Sequence, residues 1–132
     1  MALVFPDVGE NLALEMIVNK TAPQNLVLRL YTSNTTPGES DTAGTYTEAS
    51  GGGYSAITLT GSSWSAASGG SIAYAQQTFT FSSVPGTATM YGYFVTQATS
   101  GTLVYAERFT GAPFTIANAG DQIKITPTIQ AS

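Results

Sequence analysis

Glu39, Asp41 and Glu48 are the residues whose type and proximity come nearest to a catalytic arrangement, because glycoside hydrolysis needs only two carboxyl groups about 5 to 9.5 Å apart. They lie in turn-rich sequence, where solvated acids are the common outcome, so no catalytic residue is assigned. Other chemistries are closed by residue type. With no histidine and no cysteine, the chain can build neither a Ser-His-Asp nor a Cys-His nucleophile, nor any zinc site ligated by those residues. The segment Glu39-Ser40-Asp41-Thr42 offers oxygens suited to calcium but lacks the glycine and spaced acids of a calcium loop. Gly51-Gly52-Gly53-Tyr54 has neither the spacing nor the lysine of a phosphate-cradling loop. No metal and no cofactor is expected, and the chain reads as a non-enzyme.

The aromatic residues pose a different question. Tyr91, Tyr93, Phe94 and Tyr105 could stack on sugars, but rings at strand spacing more often fill cores and subunit contacts. Together with Leu12 and Met16 on a predicted helix they form the candidate interface. Glu107 and Arg108 are adjacent on a predicted strand, so they point to opposite faces and are not a simple pair. Asn19-Lys20-Thr21 and Asn34-Thr35-Thr36 match glycosylation acceptors at the rate chance gives in so threonine-rich a chain.

These residues must be positioned by one helix and a series of short strands. Asp7 can cap, with Glu10 three residues on, and an apolar run without Gly or Pro follows, which predicts a helix over residues 8–19. Val8, Leu12 and Met16 share one stripe, while Leu14, Ile17 and Val18 widen the apolar arc beyond a single contact surface. Pro23 disfavours helix at the residue before it and marks the stop. From Asn25 the period becomes 2: Leu26, Leu28 and Leu30 alternate with Val27, Arg29 and Tyr31. The turn-rich stretch 33–44 predicts an exposed loop.

Further strands are expected over 45–47, 56–60, near Trp64, and over 72–82, 89–97, 102–109 and 122–130. The stretch 89–97 is apolar on both faces, as in a central strand or one covered by a neighbouring subunit. Pro127 lacks an N–H, which predicts an edge position. The expected core is Leu26, Leu28, Leu30, Phe79, Phe81, Ile123, Ile125 and Ile129. The fold class is therefore mainly β, a β-sandwich or jelly-roll-like single domain with one N-terminal α-helix. Residues 1–22 form the helical segment and 23–132 the sandwich.

Composition narrows the partners. Four basic and eight acidic residues make only 9% of 132 charged, against about 25% in an ordinary domain. A nucleic-acid ligand would require clustered Lys and Arg. No apolar run reaches the ~20 residues of a spanning helix, and the start lacks the basic region of a signal peptide. Neither nucleic acid nor membrane is expected as a partner, and a surface of Thr, Ser, Gly, Ala and Tyr suits permanent protein neighbours.

Several segments together resemble a known group. They include Leu26 to Tyr31, Tyr46-Thr47-Glu48-Ala49, Gly53-Tyr54 with Trp64, and Gln77-Thr78-Phe79-Thr80-Phe81. Met90-Tyr91-Gly92-Tyr93, residues 103–109 and the Gly120-Asp121-x-Ile-x-Ile-x-Pro ending complete the set. The pattern is similar to small virion proteins of phages of marine and freshwater bacteria, some tail-fibre-like and some resembling capsid decoration (cement) proteins. The resemblance implies a fold and a setting in the virion, and no site residue. It leads to a capsid decoration protein, a homotrimer seated on the major capsid protein between capsomers, with a tail-fibre or spike receptor-binding domain, open to glycan binding, as the alternative.

Overall fold

The computed structural model describes residues 3–131. Its elements are α1 (Asp7–Ile17), β1 (Leu26–Tyr31), β2 (Ile57–Leu59), β3 (Ser71–Ala73), β4 (Gln77–Thr80), β5 (Thr89–Met90), β6 (Gly92–Gln97), β7 (Leu103–Arg108), β8 (Phe114–Thr115), β9 (Gln122–Ile125) and β10 (Thr128–Gln130). The architecture is mainly β with a single N-terminal helix, as the sequence predicts. β2, β1, β6 and β7 make one antiparallel sheet in that order. The opposing layer is made of two-stranded ribbons, β4 with β9, β3 with β10 and β5 with β8, and not of one continuous sheet.

The helix begins one residue earlier and ends two residues sooner than its sequence predicts. Asp7 is its first residue and not its cap: Pro6 holds that place in extended geometry, and its carbonyl accepts from the N–H groups of Gly9 and Glu10 at 2.8 and 3.0 Å. The stop comes from Asn19, whose φ of 60° is left-handed. Its N–H reaches the Met16 carbonyl and the Lys20 N–H reaches that of Glu15, the paired bonds of a Schellman motif. Pro23 lies beyond an end already made.

Three predicted strands are broken in two. The stretch 72–82 divides into β3 and β4 where the Tyr74 N–H turns to the Pro127 carbonyl. The stretch 122–130 divides at Pro127, so β9 pairs with β4 and β10 with β3; Pro127 is buried at this switch. The stretch 89–97 divides at Tyr91, which bonds to the Tyr31 carbonyl through its N–H and accepts from the Phe109 N–H. Residues 43–45 form a 3-10 turn where a short strand over 45–47 was expected, and another 3-10 turn, Gly61–Ser63, precedes an extended Trp64.

β6 is buried along its whole length, and the two faces of its sheet are covered by different means. One face carries the predicted core: Leu28, Leu30, Phe79, Phe81, Ile123 and Ile125 are buried together, with Leu26 and Ile129 packed half-buried at its margin. The other face carries Tyr31, Tyr46 and Phe94 with Leu103 and Ala106. A β-bulge makes both faces consistent. Val95 opposes Tyr105 but Thr96 opposes Leu103, so Val104 is an extra residue on β7. Leu103 and Ala106, three apart, therefore share the aromatic face, and Val104 and Tyr105 join the larger core.

Helix α1 seats on this bulge through Gly9. A Cβ there would lie 2.1 Å from the Val104 carbonyl oxygen, so only glycine lets the helix approach the strand. Gly92 is constrained in the same way, since a Cβ would meet the Glu107 carbonyl at 2.3 Å and the Tyr31 hydroxyl at 2.5 Å. The N-terminal segment also closes the sheet edge, where Val4 exchanges two backbone hydrogen bonds with Ala106 at 2.8 and 3.0 Å. Among the described residues, no helix is long and apolar enough to cross a membrane.

Candidate functional site

The stretch 33–44 is turn-rich, as expected, but it is a cover and not a free loop. Pro37 is buried, the Thr32 N–H donates to the Thr47 carbonyl at 2.8 Å, and the Asp7 N–H donates to the Glu39 carbonyl at 2.9 Å. Tyr46 stacks over Phe94 at 5.2 Å between centroids and tilts against Tyr31 at 4.9 Å. Burial pushes the Tyr31 phenol up to about 12, with the nearby Arg108 charge pulling the other way. The phenols of Tyr46, Tyr54, Tyr93 and Tyr105 are raised as well, in each case chiefly by burial.

The candidate carboxylates are engaged in holding this cover. Asp41 accepts from the Gly38 N–H at 2.8 Å and the Tyr46 hydroxyl at 2.7 Å. Glu48 takes Arg29 Nη1 on both oxygens at 3.0 Å and the Tyr54 hydroxyl at 2.9 Å. Glu39 is exposed. The arrangement ties loop to sheet, with Asp41 and Glu48 engaged by different partners. Among the described residues, no group of three or more acids could hold a metal ion.

The six candidate interface residues are not brought to one surface. Tyr93, Phe94 and Tyr105 are buried by their own chain and Leu12 faces the core, leaving Met16 and Tyr91 half-buried. Tyr93 and Tyr105 meet edge-on at 6.2 Å, and the Glu107 charge adds to the rise that burial imposes on both phenols. Arg108 lies over Tyr91 at 5.1 Å and donates to the Thr35 carbonyl at 3.1 Å. Tyr91 is thus the one member of the ring set with a face toward solvent, and a cation already covers it.

The most exposed large apolar side chains among the described residues lie on the helix and at its C-cap. Leu14, Ile17 and Val18 are 62%, 79% and 71% exposed. They are the residues that widen the apolar arc in the sequence, whereas the candidate interface runs through Leu12 and Met16 on the other side of the helix. Leu14, with Glu10 and Ala13, forms the helix wall of a groove of about 570 Å³ whose other lining includes Leu3, Phe5 and Ile129. A polar cleft lies around Glu107, Thr126, Thr128 and Gln130.

Comparison with known families puts the chain among phage virion structural proteins of fibre type. Over residues 7–129 it matches the family described as podophage GP4 fiber I protein gp80, and it belongs to that family. No curated protein and no solved structure matches it.

Proposed function

We propose that the chain is a non-enzymatic fibre subunit of a phage tail, assembling with copies of itself and with other virion proteins. The observation that carries this reading is the family match, which spans the helix, the sheet and the ribbons together. An assembly role is favoured over a sugar-binding head because Tyr93, Phe94 and Tyr105 lie inside the fold and Arg108 covers the half-buried Tyr91 ring. Reconstruction of intact virions tests it. Density for this chain on the tail is the expected result, and density confined to the shell overturns it.

Capsid decoration is the second reading. One observation favours it: the described residues form a compact unit with no fibrous stalk, which suits a trimeric tile between capsomers bound to the major capsid protein. The same reconstruction separates the two, since a decoration protein sits at lattice positions of the shell. Neither reading calls for a cofactor, nucleic acid or membrane.

A further inference from the structure

We infer that the outer face of α1 is a homotypic contact, in which the helices of two copies pack antiparallel about a twofold axis. At about 100° per residue, Asp7, Glu10, Leu14 and Ile17 fall within about 80° of one another on the helix surface. Gly9, Leu12 and Met16 lie on the opposite side, against the body. The outer face is therefore acidic in its first half and apolar in its second. Lys20 follows at the helix C-terminus, 71% exposed and held only by an exposed contact to Glu15 at 3.4 Å, which is worth little in water.

This distribution selects the occupant. Antiparallel pairing centred between Leu14 and Ile17 sets Leu14 of each copy against Ile17 of the other, with Val18 closing the contact. The same register brings Glu10 of each copy to the partner's Lys20, so both ends are complementary in charge. It also opposes the two helix dipoles favourably. A parallel bundle, including a threefold one, would gather every Asp7 and Glu10 at one end with no cation among them. A second copy in antiparallel orientation is thus the partner that the face itself encodes, and twofold closure leaves no open apolar surface.

The contact is small, and its isolated affinity is weak, in the micromolar range or above. The inference rests on the self-association in the proposed function and not on where the assembly sits in the virion. Sedimentation of the full chain from about 1 µM to about 1 mM tests it. A monomer–dimer equilibrium is expected, and Ile17→Asp should weaken it at least about tenfold while the melting profile stays that of a folded protein. Glu10→Lys and Lys20→Glu should each weaken the dimer, and the two together should restore it. A chain that stays monomeric, a trimer, or a dimer indifferent to the charge exchange overturns the proposal. None of these outcomes bears on tail or shell, which reconstruction reads separately.

Discussion

The two faces of the central sheet bury comparable strands by unlike routes. The larger core collects side chains from stretches distant in sequence, with Leu28 on β1, Phe79 on β4 and Ile123 on β9. The smaller, aromatic core is closed by the chain leaving β1, which loops through Pro37, returns Tyr46 onto Phe94 and rejoins the sheet at Ala49. The first face is closed only when the whole topology is formed, whereas the second is closed by a short excursion held by a few hydrogen bonds. Cooperativity should differ accordingly: damage to the first is global, and damage to the second is partly local.

Removing a side chain from the larger core is expected to have the largest effect. Leu28→Ala or Phe79→Ala should cost about 2–5 kcal/mol in denaturant unfolding, and a loss under ~0.5 kcal/mol at both sites would contradict the packing described. Tyr46→Ala should cost less globally, about 1–3 kcal/mol, but should speed hydrogen exchange at the Thr32 and Asp7 amides, which the cover holds. If those amides keep the protection of the central strands, the two faces unfold as one and the distinction fails.

Alkaline titration probes both faces together. A phenol raised in the fold stabilises the neutral native state fully below its unfolded value near 10 and loses that contribution as pH rises through the folded value, about 12 for Tyr31. Stability should therefore fall between about pH 10 and 12, with tyrosine ionisation by absorbance coinciding with loss of structure. Ionisation of all the tyrosines before unfolding would mean the rings are accessible. Smaller still, Tyr46→Phe removes the bond to Asp41 while keeping the stack, and should cost about 1 kcal/mol. Leu14→Ser, on the open helix face, should change the stability of the monomer by no more than about 0.5 kcal/mol.

The sequence shows the larger core plainly because alternation at Leu26 to Tyr31, at Phe79 and Phe81 and at Ile123 and Ile125 is a local property. It does not show where strands end. Ile123, Ile125 and Ile129 keep the same parity across Pro127, so the pattern runs on although the hydrogen-bond partner changes from β4 to β3. The aromatic core is equally hidden: the sequence predicts only a short strand over 45–47, and three residues of it do not declare whether the Tyr46 ring folds back onto the sheet. The bulge at Val104 and the glycines at positions 9 and 92 depend on which backbone approaches them, which only the assembled topology decides. The same holds for the interface set, since apolar residues on a central strand fit a buried strand and a subunit contact alike. In the folded chain β6 is buried by its own neighbours, whereas the far side of the over-wide arc of α1 is exposed.

The strip of backbone pairing between Val4 and Ala106 bears on how such a weakly charged molecule stays dispersed. Colloidal repulsion is feeble with 9% charged residues and a net charge of −4, and salt would screen even that. A sheet in this condition invites indefinite edge-to-edge growth if its margins are long and open. Here the β7 margin is occupied by the N-terminal segment, and the β2 margin is only three residues long. Deleting the segment that carries Val4 would therefore show itself first as turbidity in concentrated, salty solution, before any loss of secondary structure.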